Sequence, residues 1–478
     1  MCEGKSRAGS RLRLLVERIS IVASPELVFD QLYRHSSHAF WLDGADLSRF
    51  AFLGDASGPL ARVARADVWS GTVGITSATG EHTIASGFFD WLQRDLAEHA
   101  VDPPDLPFGF CLGWVGYLGY ELKAECEGSR AHRSADPDAY LIFVDRGLAF
   151  DRDTGAVYLL ALAPAGDDTA ARGWLTRTRD RLAVLAGRTA PDAAALRAEV
   201  GEVGLRHDRN SYLKMIADCL TAIERGESYE ICLTNMTSVA AAIDPWPAYR
   251  ALRRASPAPF GALLRLGEMS VLSTSPERFL SVSADGAVES RPIKGTRPRG
   301  SDPEQDARLR RDLATSVKDR AENLMIVDLV RNDLGRCAEV GSVHVTRIFE
   351  VQTYATVHQL VSTIRATLAA DRTAIDCVRA AFPGGSMTGA PKIRTMELID
   401  DLEAGPRGVY SGALGYFSLS GAVDLSIVIR TLVVRPDGAT FGVGGAIVAD
   451  SDPDAEFEET AVKATPMLTL LGIPFPGR

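Results

Sequence analysis

The chain has 478 residues, of which 46% are apolar and 24% charged, and its net charge is −10. This is enough apolar material for two or three packed domains or for one large interwoven unit. The acidic balance argues against nucleic acid, which binds basic surfaces, and no apolar run reaches the roughly 18 residues of a membrane-spanning helix. We therefore expect neither a nucleic-acid partner nor a membrane partner.

Seven cysteines are scattered along the chain, and no two are spaced as Cys-x-x-Cys. Such thiols are typical of a reducing compartment, and the N-terminal residues contain no apolar run long enough for a secretory signal. The cysteines therefore predict a cytoplasmic protein.

The N-terminal region, 1–190, has the pattern of an antiparallel sheet with peripheral helices. Ser24 followed by Pro25 is a typical helix start. The four glycines between Gly109 and Tyr120 indicate close backbone approach rather than a helix. Strands are predicted at 12–19, 48–54, 140–144 and 157–161, and a helix at 168–186.

A polar connector, 187–208, separates this region from a predicted catalytic domain, 208–474. The domain opens with an amphipathic helix, because apolar side chains recur at helical spacing over 212–223. Asn210 or Ser211 is the expected cap of that helix.

The rest of the catalytic domain alternates runs of strands with isolated helices. This order indicates an α+β fold of large, mostly antiparallel sheets flanked by helices, rather than a doubly wound fold. The predicted strands are 229–240, 260–266, 270–274, 278–283, 343–350, 357–366, 412–419, 425–434 and 440–449, and the predicted helices are 303–333, 373–381, 391–402 and one from Asp454.

Lys294 stands alone between Ile293 and Gly295, just after a strand-like run. The glycine lets the backbone approach a ligand closely. A desolvated lysine with a lowered pKa can act as a nucleophile, whereas an exposed lysine at a strand end would carry no chemistry. This stretch alone favours an exposed lysine. The motifs in the rest of the chain are therefore needed to choose between the two alternatives.

Three glutamates are candidate metal ligands. Glu322 lies in an increasingly apolar helix, and Glu456 and Glu459 share one face of the final helix. Inward carboxylates from two helices suit Mg²⁺, while the alternative is a pair of solvated helix faces with ion pairs such as Glu459–Lys463.

Anion-binding groups are also present. Arg430 ends a strongly apolar run, and a buried arginine requires a carboxylate or phosphate partner. Gly444 and Gly445 are candidate backbone-amide donors. Glu277 is either a structural partner of Arg278 or a general acid whose pKa burial raises.

These residues lie in long ordered motifs that resemble the chorismate-utilising enzymes over about 210–470, with weaker similarity in the N-terminal region. The resemblance implies an anthranilate synthase component I-like fold with two interwoven subdomains. The motifs are SPERF (275–279), PIKGTRPRG (292–300), KDRAENLMIVDLVRNDLG (318–335), FPGGSMTGAPKIRTMELID (382–400), SGALGYF (411–417), SIVIRTL (426–432) and GGAIVADS (444–451).

Within that family the lysine of PIKGT resembles the aminodeoxychorismate synthase branch, whereas anthranilate synthases have alanine in that position. The resemblance implies that Lys294 attacks C2 of chorismate while Glu277, as general acid, assists departure of the C4 hydroxyl. Ammonia then adds at C4 and expels the lysine. A glutamine amidotransferase subunit is the implied ammonia source, and the product would feed p-aminobenzoate and folate synthesis.

The resemblance also assigns ligands. It implies Mg²⁺ on Glu322 and Glu459 with Glu456 close by, where the metal would neutralise a substrate carboxylate. The remaining assignments concern substrate binding: Arg430, the amides of Gly444, Gly445, Gly295 and Thr296, and Tyr416 of SGALGYF.

Three positions depart from the family pattern. The histidine of related anthranilate synthases is Gln359 here, with His358 one residue earlier. Isochorismate synthases have a lysine base where this chain has Glu230, which argues against water as the nucleophile. The third residue of the glycine turn is Ala446. The residue that handles protons beside Lys294 therefore stays open among Glu277, Glu230 and His358.

Two other functions remain open at this point. One is anthranilate synthase component I activity. The other is a non-catalytic regulatory subunit that binds tryptophan in the N-terminal region.

Overall fold

The computed structural model describes residues 2–3, 12–45, 47–191, 200–354 and 357–477. Its helices are α1 Pro25–Leu32, α2 Phe88–His99, α3 Thr169–Leu185, α4 Arg209–Glu224, α5 Pro245–Ala255, α6 Pro303–Thr315, α7 Val317–Gly335, α8 Ala374–Ala381, α9 Lys392–Glu403 and α10 Pro453–Leu471, with short 3₁₀ turns at Tyr120–Glu125 and Gly385–Met387.

The strands of the N-terminal region are β1 Cys2–Glu3, β2 Leu12–Ser20, β3 His38–Asp43, β4 Phe50–Asp55, β5 Arg62–Asp67, β6 Thr72–Ser77, β7 Gly80–Ala85, β8 Gly113–Leu118, β9 Ala139–Val144, β10 Arg146–Asp151 and β11 Ala156–Pro164. Those that follow are β12 Val200–Leu205, β13 Glu230–Ala241, β14 Phe260–Leu266, β15 Met269–Ser275, β16 Arg278–Val282, β17 Ala287–Arg291, β18 Ile293–Pro298, β19 His344–Thr353, β20 Val357–Thr367, β21 Gly389–Ala390, β22 Ala413–Ser418, β23 Val423–Ile427, β24 Thr431–Arg435 and β25 Gly438–Ile447.

Two large sheets organise the described residues. The first has the order β1-β2-β11-β10-β4-β3-β14-β15-β24-β25-β13-β12, with β21 beside β13, and the second has β18-β20-β17-β16-β23-β22-β8-β9-β5-β6-β7, with β19 beside β20. Every strand pair in these ranges is antiparallel. The predicted α+β class with mostly antiparallel sheets is therefore confirmed.

The two regions of the chain are interwoven in both sheets. In the first sheet β3 pairs with β14, and in the second β8 pairs with β22. Neither region forms a complete sheet by itself, because strands of each region pair with strands of the other. The expected interwoven subdomains are confirmed, while the boundaries 1–190 and 208–474 stay predictions.

Both faces of the first sheet are buried. Along β2, Leu14 and Val16 enter the core between the sheets, whereas Leu15 enters a second core beneath α1, α3, α4, α5 and α10. Successive side chains of a strand point to opposite faces, so a strand buried on both faces becomes apolar at every position. The glycine segment behaves as predicted, since a Cβ at Gly116 would lie 2.1 Å from the Tyr140 carbonyl oxygen.

Several local predictions need correction. The helix predicted over 303–333 is two helices, because Ser316 takes an extended conformation and caps α7 by accepting a hydrogen bond from the Asp319 amide. The strand predicted over 425–434 is also two, β23 and β24, which belong to different sheets.

The predicted connector contains a strand that the sequence reading missed. Val200–Leu205 forms β12 at an edge of the first sheet, and 192–199 lie outside the described residues. The cap of α4 is neither Asn210 nor Ser211. It is Asp208, whose carboxylate accepts a hydrogen bond from the Ser211 amide.

Candidate active site

Lys294 is positioned by an irregularity in β18. Ile293 pairs with Val361 and Thr296 with Gln359, so β18 advances three residues while β20 advances two. The extra residue is a β-bulge, which re-aims a side chain. Gly295 makes the bulge possible, because its φ is +83° and a Cβ there would lie 2.7 Å from Asp319 Cγ.

Lys294 forms a buried ion pair with Glu230. Lys294 Nζ lies 2.5 Å from Glu230 Oε1, and the two side chains are 10% and 0% exposed. Glu230 begins β13, where Ala390 of β21 pairs with it. The exposed strand-end alternative for Lys294 is therefore wrong.

The expected lowering of the lysine pKa is also wrong for this arrangement. Burial pulls the pKa of the Lys294 ammonium down, but attraction to Glu230 and then to Glu322 is larger in sum and raises it above the ordinary value. Lys294 is therefore protonated in this state, and it must lose that proton before it can act as a nucleophile.

Glu277 lies where the chain crosses from β15 in the first sheet to β16 in the second. Its side chain is buried, and burial raises its pKa to about 7, with smaller opposing effects from a hydrogen bond to Ser386 and the charge of Lys294. Arg278 is occupied by Asp424 and Glu289. Glu277 is thus not the structural partner of Arg278, and its proton is available near neutral pH.

Arg430 lies at the opposite crossing, from β23 in the second sheet to β24 in the first. Its φ is +50°, and its guanidinium forms no hydrogen bond or ion pair with any residue that the structure describes. Burial lowers the pKa of Arg430, and Glu277 partly counteracts this. An unpaired, desolvated guanidinium is a ready partner for an anion.

The backbone amides of Gly444 and Gly445, the other candidate anion-binding groups, belong to β25. The pairing of β25 with β24 ends at Thr440, whereas its pairing with β13 continues to Ile447. Alternate backbone groups of β25 beyond Thr440, the stretch that includes Gly444 and Gly445, therefore face an edge that β24 does not cover.

The three candidate metal ligands converge on one place. Lys318 Nζ lies 3.9 Å from Glu322 Oε1 and 3.2 Å from Glu456 Oε1, while Glu459 Oε1 lies 2.6 Å from Lys463 Nζ. A Cβ on Gly445 would meet Glu456 Oε2 at 3.2 Å and Glu459 Oε1 at 3.7 Å, so the glycine leaves space beside them.

The side-chain chemistry suits Mg²⁺, because carboxylate oxygens are its preferred protein ligands, but the present arrangement pairs these carboxylates with lysines. The two lysines supply the counter-charge in this arrangement, and the ion pair Glu459–Lys463 named as the alternative does form. Within the described ranges, no group of three or more His, Cys, Asp or Glu side chains is arranged to hold a metal ion.

Two of the expected substrate-binding residues are placed differently from the rest. The ring of Tyr416 packs against Phe52 and Phe110 in the core between the sheets. Thr296 is exposed, with its partner Gln359 buried. The structure therefore brings Lys294, Glu277 and Arg430 together but does not show Tyr416 in contact with them.

Other polar groups lie around Lys294. Asn323 was not singled out from the sequence, whereas Glu230 and Gln359 were named there as departures from the family pattern. Three buried atoms, Glu230 Oε2, Asn323 Nδ2 and Gln359 Oε1, have no hydrogen-bond partner within the described ranges. They come from β13, α7 and β20, the last two of which flank β18. Buried polar atoms without partners are rare, so this cluster indicates a site for a polar ligand. An asparagine and a glutamine among apolar residues were the available signal.

His358 is held away from this chemistry. Its ring nitrogens contact Thr353 Oγ1 at 2.8 Å and Asp306 Oδ1 at 3.1 Å. Both nitrogens are thus occupied, which leaves Glu277 and Glu230 as the proton-handling candidates.

This fold and site define an enzyme of small anionic substrates whose reactive groups lie where two antiparallel sheets exchange strands. The family model described as chorismate binding enzyme matches residues 51–469, and the chain therefore belongs to the chorismate binding enzyme family. No described helix has the length and apolar character needed to cross a membrane.

The chain is also similar to individual proteins of this family. The chain is 57% identical to an aminodeoxychorismate synthase of Streptomyces griseus, over 100% of this chain and 67% of that protein. It is 43% identical to aminodeoxychorismate synthase component 1 of Klebsiella aerogenes, over 79% of this chain and 81% of that protein. The chain thus spans about two thirds of the length of the longer relative.

Among solved structures, the fold resembles anthranilate synthase component I from Streptococcus pneumoniae. The TM-score is 0.76 at 28% identity, with 94% of this chain and 99% of that chain covered.

Proposed function

We propose that this chain is the chorismate-converting component of an aminodeoxychorismate synthase, which turns chorismate and ammonia into 4-amino-4-deoxychorismate and water. The observation that carries the proposal is the buried Lys294 beside Glu230, at 2.5 Å, in a site with a protonatable Glu277. The aminodeoxychorismate synthases named above support the same reaction.

The substrate carries two carboxylates, and the site offers a receptor for each. Arg430, with no partner within the described ranges, pairs with one of them, and a backbone amide of the Gly444–Gly445 stretch that faces away from β13 adds a hydrogen bond. The amides of Gly295 and Thr296 lie beside the nucleophile and bind the same substrate. We assign no contact to Tyr416.

The reaction begins at two carbon atoms of the substrate ring, C4 and C2. Glu277 gives its proton to the C4 hydroxyl, which leaves as water, while the neutral Lys294 amine forms a bond to C2 and the double bonds shift. Ammonia then forms a bond to C4, the double bonds shift back, and the bond between C2 and the lysine nitrogen breaks. Loss of one proton from the new amino group restores Glu277 as an acid.

Glu322, Glu459 and Glu456 would hold Mg²⁺. When bound, the ion would neutralise the second substrate carboxylate and so let an acidic protein hold a dianion. Titration calorimetry of Mg²⁺ into the protein tests this site without turnover. Glu459→Gln should weaken the binding strongly, and unchanged binding would remove Glu459 from the ligand set.

Ammonia would come from a glutamine amidotransferase partner, in keeping with the name of the Klebsiella aerogenes relative, aminodeoxychorismate synthase component 1. The product would supply p-aminobenzoate and hence folate. A cytoplasmic location, expected from the cysteines, remains part of this proposal.

The deciding experiment is an incubation of the protein with chorismate, Mg²⁺ and an ammonium salt, followed by product identification. We expect a product that keeps its enolpyruvyl group and becomes aromatic only after a lyase is added. Anthranilate fluorescence with pyruvate release would instead establish anthranilate synthase activity. Tryptophan binding without turnover would establish a regulatory subunit.

A further inference from the structure

Glu230 is the residue in contact with the reactive amine, and the reaction above leaves it without a role. It is fully buried, and its Oε1 lies 2.5 Å from Lys294 Nζ. Its Oε2 has no hydrogen-bond partner within the described ranges. A buried carboxylate oxygen without a donor is costly, so it is retained where chemistry uses it.

Other ionisable groups act on Lys294 from neighbouring elements. They are Glu322 on α7, Cys232 on β13, Glu277 between β15 and β16, and Glu459 on α10. In the described part of the chain, only Glu230 is within hydrogen-bonding distance of the lysine nitrogen. Glu277 must carry a proton for the leaving hydroxyl, and Glu322 and Glu459 are assigned to the metal.

We propose that Glu230 is the catalytic base for Lys294: it takes the proton of the lysine ammonium before attack and returns it after the lysine is expelled. The inference rests on the proposed function and extends it by one residue.

The steps balance. Proton transfer from Lys294 to Glu230 gives a neutral amine and a neutral carboxyl, and the amine then forms the bond to C2. The resulting secondary ammonium keeps two hydrogens, so the lysine leaves as a neutral amine when ammonia displaces it. That amine recovers its proton from Glu230, while Glu277 takes the extra proton of the new amino group.

This arrangement also explains how a lysine with a raised pKa can be a nucleophile. Moving one proton over 2.5 Å neutralises two buried charges together, so no isolated ion remains in the site. The two carboxyl groups then have separate duties, because Glu230 serves the lysine and Glu277 serves the substrate.

The test uses the full chain with ammonium salt as nitrogen source. Glu230→Gln keeps the shape but removes the acceptor, and we expect amination to fall by about 100-fold or more, the usual range for a general base. Glu230→Asp should retain part of the activity. Glu397→Gln, at an exposed ion pair with Arg394, is the surface control and should match the unsubstituted protein.

Two readouts separate catalysis from packing. Mass spectrometry during a single turnover without ammonia should show slower chorismate adduct formation on Lys294 in Glu230→Gln. Formate should restore activity to Glu230→Ala, because a small carboxylate can occupy the space left by the side chain. Thermal melting identifies any variant that is unfolded. In that case Glu230→Asp is used to test the inference.

Activity of Glu230→Gln within threefold of the unsubstituted protein would overturn the inference. So would loss of activity with an unchanged rate of adduct formation and no formate rescue. If the unsubstituted protein forms no 4-amino product, it is the proposed function that fails instead.

Discussion

At the scale of single residues, the site separates two carboxyl groups by their surroundings. Glu230 forms an ion pair with the Lys294 ammonium group, whereas Glu277 is desolvated without a direct ion pair, and burial raises its pKa to about 7. A buried carboxyl group with a raised pKa is typical of the general acids of enzymes.

Replacing Lys294 by alanine should abolish most 4-amino-4-deoxychorismate formation, by about 1000-fold or more, since the covalent route loses its nucleophile. Product analysis with ammonium salt measures the effect. Lys214→Ala, at an exposed position of α4, is the matched control and should keep full activity. Full activity of Lys294→Ala, together with no adduct on Lys294 in the unsubstituted protein, would exclude the covalent mechanism.

Glu277→Gln should inactivate the enzyme and at the same time stabilise the fold above neutral pH. The folded pKa of about 7 exceeds the ordinary value of 4.5, so ionisation costs the native state stability as pH rises through this window. Removing that cost should add up to about 3 kcal/mol at pH 8, taking about 1.4 kcal/mol per pKa unit. Urea unfolding at pH 8 and pH 5 measures it.

The gain should fall below about 1 kcal/mol at pH 5, because Glu277 is protonated in the folded state and pH 5 is close to the ordinary pKa of 4.5. An equal gain at both pH values would show that packing, rather than the ionised carboxyl, explains the change.

At the scale of elements, the reactive groups lie at breaks in regular structure. Lys294 lies in a β-bulge, and Glu277 and Arg430 lie where the chain passes between the sheets. Breaks of this kind redirect side chains that an uninterrupted strand or helix would align on one face.

Gly295→Ala should destabilise the protein and lower its activity together. Its φ of +83° disfavours alanine, and the added Cβ would approach Asp319 Cγ to 2.7 Å. Gly341→Ala is the matched control, because Gly341 also has a φ of +83° but nothing within 4 Å of an added Cβ.

We expect Gly341→Ala to cost about 1 kcal/mol, the effect of backbone strain alone, and Gly295→Ala to cost more. Thermal melting and the ammonium assay compare the two variants. Equal losses of stability with unchanged activity would show that the contact with Asp319 does not position Lys294.

At the scale of the whole molecule, the two chain regions complete each other's sheets. Removing 1–190 would take β3 from β14 and β8 from β22 in one step. It would also expose apolar side chains of the core between the sheets, such as Leu264 and Leu414. Bare edges and exposed apolar surface both favour aggregation.

We therefore predict that residues 208–474 do not fold when produced alone. Circular dichroism and gel filtration of the fragment should show an aggregated or unfolded chain, while co-production with 1–190 should recover some native protein. The intact chain should unfold in one cooperative transition by tryptophan fluorescence and by circular dichroism. A monomeric, cooperatively folded fragment would show that 208–474 is an independent domain.

The sequence alone determined the α+β class and most of the strands, because periodicity and ordered motifs are local properties. It also named Lys294, Glu277 and Arg430 as site residues. The fold places their charges within reach of one another, and their catalytic roles stay predictions.

Only the tertiary structure decided the protonation of the candidate site residues and which side chains surround them. The pKa of Lys294 is raised rather than lowered because Glu230, 64 positions earlier in the chain, lies 2.5 Å away. Tyr416 belongs to an aromatic core, and the strand predicted over 425–434 divides between two sheets, with Arg430 at the crossing. Coulombic attraction and packing depend on distances in space, and those distances arise from strand pairings between residues far apart in the chain.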